Sequence, residues 1–255
     1  MPRPILYPTV PDNMHLRAIE ALFGHVDVPA SAIPPHRAIV FLCFTNRSGS
    51  NYLADALAST GRLNLAGELL NAEAVAADTA GHNHASFADF FAAHMRWRMT
   101  DGRVAMKVAT MHLELLGRAG VLEHCRETAR YVFIERADRL GQAISAEIAW
   151  QTGQWTTHTT VEVPIEHVRF SRERIARLID GFAEDNRQFD LFFGLNGIIP
   201  AHVVYEHLVA DPEGQVRSVG AALGLPDLRM DPGRITVQRQ AGVLNARWRE
   251  LFLRA

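Results

Sequence analysis

The stretch Thr45-Asn46-Arg47-Ser48-Gly49-Ser50-Asn51-Tyr52 carries the densest chemistry in the chain. It follows residues 39–44, which are uncharged and apolar, and runs into Leu53, Ala56 and Leu57 at helical spacing. A buried strand, a tight polar turn and a helix are expected. The first N–H groups of such a helix have no intrahelical partner, and the helix dipole favours an anion there. Arg47 adds a charged fork that matches tetrahedral oxyanions. Ser48 and Ser50 add hydroxyls, and Gly49 lets a ligand approach the backbone. The stretch reads as a cradle for phosphate or sulfate, although a serine that merely caps the helix would give the same local pattern.

No G-x-x-x-x-G-K-[ST] run occurs in the chain, which counts against an ATP or GTP loop with its magnesium. The turn here is shorter and its cation precedes the glycine, which suits a 5′-phosphate carrying one more group. A second polar set stands at the end of another apolar run, residues 130–135: Arg136, and Ser145 nine positions later. Ligands of open α/β sheets sit outside the carboxyl ends of the strands, so Arg47 and Arg136 face one crevice if their strands are neighbours. Glu68 follows Gly67 and is either a solvated loop acid or a carboxylate aimed at the cradle. Lys107, in a short strand at 104–108, and His112, at the start of the next helix, either face the site or are a surface lysine and a capping histidine. His82 and His84 stand two apart, but with no other Cys or His beside them no metal is expected.

These residues need a frame. At 255 residues and 48% hydrophobic, the chain is long enough for one α/β domain spanning residues 1–255. Residues 1–36 are a proline-punctuated lead-in with one short helix at 14–23, expected to lie against the domain surface. Further helices are expected at 86–99, 111–119, 140–151 and 171–193, with Ser86 as an N-cap. The arginines at 172, 174 and 177 read as a solvated face. Residues 72–84 read as a loop. A further strand is expected at 201–205, then a turn and a helix with Asp211 as cap, Pro212 at its first position and Gly224 closing it. A last amphipathic helix runs through Trp248 and Phe252.

The net charge of −2 counts against nucleic acid as a main partner. The two cysteines, Cys43 and Cys125, do not suggest a disulfide framework, and Cys43 reads as a small buried hydrophobe. Nothing approaches about eighteen consecutive apolar residues, so no integral membrane association is expected, and a cytoplasmic enzyme fits. The lead-in and the helix at 171–193 could each form a homodimer interface.

Four segments in order resemble the bacterial sulfotransferases of the trehalose 2-sulfotransferase type. They are the loop TNRSGSNYL, the block IERADRLGQAIS with AWQTGQW, the segment YEHLVADP and the tail VQRQAGVLNARW. The resemblance implies a P-loop-like sulfotransferase fold, with a mostly parallel central sheet flanked by helices. It also implies 3′-phosphoadenosine 5′-phosphosulfate (PAPS) as the sulfate donor, without a metal. Arg47, Ser48, Gly49, Ser50 and Asn51, with Tyr52 beside them, would hold the 5′-phosphosulfate. Arg136 and Ser145 would hold the 3′-phosphate, with Arg239 closing over it. Glu68 falls where the family has its general base, with His112 as the rival base. The family's setting there is Glu-aromatic-aromatic-Asn after a proline, whereas this chain reads Glu68-Leu69-Leu70-Asn71 without the proline. The implied reaction moves a sulfuryl group in line to a hydroxyl of a carbohydrate or glycolipid acceptor. Donors pre-aimed at the leaving oxygen are each worth on the order of 10²–10³ in rate, and the base roughly 10²–10⁴. The rival functions are a P-loop-like kinase and a catalytically idle nucleotide-binding module on the same fold.

Overall fold

The computed structural model describes residues 3–65, 67–156, 159–237 and 242–254. In chain order its elements are α1 (Met14–Phe23), β1 (Ala38–Phe44), α2 (Ser50–Ser59), α3 (Ala72–His82), α4 (Phe87–Arg98), β2 (Arg103–Val108), α5 (Thr110–Arg118), α6 (Val121–His124) and β3 (Ala129–Glu135). Then come α7 (Arg139–Thr152), α8 (Arg172–Asn196), β4 (Ala201–Val204), α9 (Tyr205–Ala210), α10 (Pro212–Ala222) and α11 (Val243–Arg254).

The four strands form one parallel sheet in the order β2–β1–β3–β4. β1 has a partner on each edge and a packed layer on each face, which is why its sequence is an unbroken apolar run rather than an alternation. Ile39, Phe41 and Cys43 enter one core with residues of α1, α4, α5, α6 and α8, among them Leu16, Phe90, Leu115 and Phe189. Val40, Leu42 and Phe44 enter the other with Leu53 and Leu57 of α2 and Val216 and Val219 of α10. A third cluster joins α7, α8 and α11 through Ile144, Ile175, Phe182 and Trp248. β4 pairs only along Val132–Glu135 of β3, so it supports the carboxyl edge of the sheet. Since all strands are parallel, the segments that leave β1, β2, β3 and β4 start from that one edge.

Several sequence expectations change. Residues 72–84 are mostly helix, not loop: α3 runs from 72 to 82. Its alanines favour a helix, but only Val75 is buried, so no amphipathic period marks it. Tyr205 opens a helix where a turn was expected. The lead-in is part of the core, not a strip on its surface. Leu16, Ile19, Val26 and Val28 are buried, and Asn13 caps α1 while donating to the Met111 carbonyl and to Glu114. The arginine face of α8 is only partly solvated. Arg174 pairs at 3.0 Å with the buried carboxylate of Glu147, and Arg172 lies over the Phe252 ring. Ser86 and Asp211 cap their helices as expected, and Cys43 and Cys125 are free and buried. No helix among the described residues is long and apolar enough to cross a membrane.

Candidate active site

The loop between β1 and α2 turns on two left-handed residues, Arg47 at φ 62° and Gly49 at φ 90°. Ser48 N–H closes the turn onto the Thr45 carbonyl at 3.2 Å. Gly49 is required twice: its φ suits a residue without a side chain, and a β-carbon there would collide with the ring of Tyr205. That ring arrives because β4 ends at Val204 and α9 starts at once on Tyr205. The Ser48 hydroxyl is buried and has no partner among the described residues, an arrangement that native interiors seldom leave without a ligand or water.

Arg47 reaches across to α7. Its Nε donates to Ser145 Oγ at 3.0 Å and one terminal nitrogen to the Trp155 carbonyl at 2.5 Å. Arg136, leaving β3, lies over the Tyr205 ring at 5.0 Å and points a nitrogen at the Arg47 carbonyl, 3.5 Å away. Burial, and the neighbouring Arg136 charge after it, draw the Arg47 guanidinium below the usual arginine range, with Tyr205 opposing. Gln142 ties α7 to the loop by donating to Thr45 Oγ1 and to the Asn46 carbonyl. The start of α7 is held by Asp138, which accepts from Gly141 N–H at 2.9 Å and pairs with Arg249 of α11. Arg47 and Ser145 also border a cavity of about 410 Å³ whose other walls include Thr152, Gln154, Val243 and Asn245. The structure thus gathers Arg47, Arg136 and Ser145, as the strand-end positions of Arg47 and Arg136 suggest. Arg239 lies outside the described residues.

A second array adjoins the loop. Lys107, in register with Leu42 of β1, is 1% exposed. Its ammonium donates to Glu68 Oε1 at 2.8 Å and to Asn51 Oδ1 at 2.5 Å, and it lies over the Phe44 ring. Glu68 Oε2 accepts from Asn71 Nδ2 at 3.0 Å. Asn71 Oδ1 faces His112 Nε2 at 3.0 Å, and His112 Nδ1 accepts from the Ala109 N–H at 3.1 Å. That last bond fixes the tautomer: Nδ1 holds the lone pair, and Nε2 carries the proton donated to Asn71. Burial first, then the nearby His15 charge, push His112 down to about 3, with Glu68 opposing and Lys107 assisting. Burial alone would raise Glu68, but the Lys107 charge and its hydrogen bond, with Asn71 and His112 adding, hold the carboxyl below the usual glutamate range. Burial lowers Lys107 from the usual lysine range, and Glu68 opposes that.

An unbroken hydrogen-bonded chain therefore runs from the Ala109 amide through His112, Asn71, Glu68 and Lys107 to Asn51 in the first turn of α2. It can supply an ionised carboxylate held next to the loop between β1 and α2. His112 has no free lone pair in it. Leu69 and Leu70 are buried in the core, so they do not line an acceptor pocket. Lys107 and Asn71 are the members that residue spacing under-reads. The signal for Lys107 is a cation near the end of a strand in which the residues from Val104 to Val108 are otherwise apolar.

The fold resembles a known class of transferase. A crystal structure of a sulfotransferase from Alicyclobacillus acidocaldarius superposes with a TM-score of 0.50 at 17% identity, covering 86% of this chain and 92% of that one. No match is found among curated proteins. The sequence model of the Stf0 sulphotransferase family matches residues 65–255, a span that contains Glu68, Lys107, His112, Arg136 and Ser145 but begins after the Arg47–Asn51 loop. With most of its length matched, the chain belongs to the Stf0 sulphotransferase family and is a sulfotransferase.

Proposed function

We propose that the protein transfers the sulfuryl group of PAPS to a hydroxyl of a carbohydrate or glycolipid, with Glu68 as the general base. The observation that carries this is the Lys107 bridge, which hydrogen-bonds Glu68 and the first turn of the anion-binding helix at once. The residues fit the donor. The orphaned Ser48 hydroxyl, the N-terminus of α2 and the Arg47 fork suit its 5′ end, and Arg136 with Ser145 suits its 3′-phosphate. When bound, PAPS supplies an activated sulfuryl group and a phosphate leaving group.

The chain's own residues do the rest. Ser48, Gly49, Ser50 and Asn51 present donors to the 5′ end, with Tyr52 behind them. Glu68 accepts the proton of the acceptor hydroxyl. Lys107 keeps that carboxylate ionised and holds positive charge beside the loop, where charge develops on the leaving oxygen. His112, neutral and donating to Asn71, is a positioning residue rather than the rival base. The whole chain, lead-in included, acts as one sulfotransferase domain. The free, buried cysteines accord with a cytoplasmic setting.

The test is transfer of labelled sulfate from PAPS to a panel of glycans and glycolipids, alongside calorimetry with 3′-phosphoadenosine 5′-phosphate. Glu68→Gln is expected to retain nucleotide binding and to lose roughly 10²–10⁴ in turnover. Full turnover in Glu68→Gln would remove Glu68 from the mechanism. Binding of ATP without binding of 3′-phosphoadenosine 5′-phosphate would remove PAPS as donor.

A further inference from the structure

Away from the transfer site, the far end of α3 and the middle of α4 bring a different group of side chains together. Asp78 Oδ2 lies 2.8 Å from His84 Nε2 and 3.0 Å from His94 Nε2. Its other oxygen lies 3.1 Å from His82 Nδ1. One ligand atom from each of Asp78, His84 and His94 falls within 4.8 Å of the other two. The chain is built to make this meeting. Asn83 adopts a left-handed conformation, φ 54°, that ends α3 and turns the chain back. His84 follows it directly. Ser86 then caps α4, which presents His94 two turns later with its ring tilted against that of Phe90, centroids 4.5 Å apart. Asp78 and His94 thus stand on helices, with His84 in the short link between them.

We propose that Asp78, His84 and His94 form a structural zinc site, with exposed His82 or water as the fourth ligand. Imidazole nitrogens and a carboxylate oxygen are the donors zinc takes at about 2.0–2.2 Å. Both nearly buried imidazoles direct Nε2 at the same carboxylate oxygen, so small side-chain rotations place a cation among the three. Such an ion would clip the α3–α4 link shut. The opposite end of α3 begins after Asn71, which holds Glu68, so the clip would also stiffen the helix that positions this array.

The experiment uses the full-length chain, stripped with chelator, dialysed and titrated with zinc chloride by calorimetry, with metal analysis of the recovered protein. One zinc per chain is expected, with a rise in the thermal midpoint on binding. His84→Gln and His94→Gln are each expected to weaken binding at least about 100-fold and to abolish that rise. His84 lies outside both helices, so its variant carries the test even if His94→Gln fails to fold. Sub-stoichiometric zinc uptake by the unaltered chain would overturn the proposal. So would undiminished uptake by the His84→Gln variant, which would put the ion on others of the chain's 12 histidines.

Discussion

Lys107 Nζ lies 2.8 Å from Glu68 Oε1, with the lysine side chain 1% exposed and the glutamate side chain 28% exposed. The cation is the inner partner and the carboxylate the outer one. A buried ammonium without its counter-charge is costly, so the geometry fixes Glu68 in place and leaves its exposed side available to a substrate.

Replacing Lys107 by methionine removes the charge that lowers Glu68, while the burial that raises it remains. The Glu68 pKa rises, and the acid limb of the rate profile moves to higher pH. Turnover at neutral pH is expected to fall on the order of 10²–10³. Rates against pH for the two proteins check both; an acid limb that stays put would show that Lys107 does not tune Glu68.

Burial pushes His112 down to about 3, and its Nε2 faces Asn71 Oδ1. No rate limb near the ordinary histidine value of about 6.5 should therefore arise from it. His112→Asn is expected to lower kcat while leaving the remaining pH dependence unchanged. A limb near that value that disappears in the variant would make His112 the proton acceptor after all.

Gly49→Ala combines a left-handed backbone with a collision against Tyr205. The conformational cost is roughly 1–2 kcal/mol and overpacking adds typically 1–3 kcal/mol. Thermal unfolding should drop accordingly, and affinity for 3′-phosphoadenosine 5′-phosphate should fall with it. Gly49→Ala with Tyr205→Ala relieves the collision alone, so part of the stability returns.

Asp138 is pulled below the usual aspartate range: burial would raise it, but Arg249 and the Gly141 amide outweigh burial. Its folded pKa is depressed, so its stabilisation is fully present above the unfolded value near 3.9 and disappears as pH falls through the folded value. Asp138→Ala should cost about 1 kcal/mol at neutral pH through the lost cap, and this difference should vanish in acid. Chemical denaturation of both proteins at neutral pH and at successively lower pH measures it.

Much of the loop between β1 and α2 is legible in sequence because its signals are local: an apolar run, a glycine, an arginine and a helix start within a few residues. The meeting of Arg47, Arg136 and Ser145 is legible by one step of topology, given parallel neighbouring strands. Lys107 is not, because a lysine in a strand is usually solvated; only the pairing with Leu42 and the approach of Glu68 show that it is enclosed. α3 is hidden for a different reason. It meets the core through Val75, with Ala72 packed beside it, which leaves no stripe of apolar residues to read. The clustering of His94 with His84 is likewise a product of helix packing that sequence distance conceals.

The place of β1 in the sheet bears on how the protein is made. This strand, AIVFLCF, leaves the ribosome first among the four and is flanked in the finished sheet by strands synthesised later. At about 5–20 residues per second, the interval between completing Phe44 and completing Glu135 is about 5–20 s. Both edges of this apolar strand lack their partners until Val108 completes β2, and the edge that β3 takes stays open until Glu135. The strand that leads into the Arg47–Gly49 turn is thus one that a chaperone would protect during synthesis. Substitutions that slow the arrival of β2 or β3 should lower soluble yield before they alter the finished enzyme.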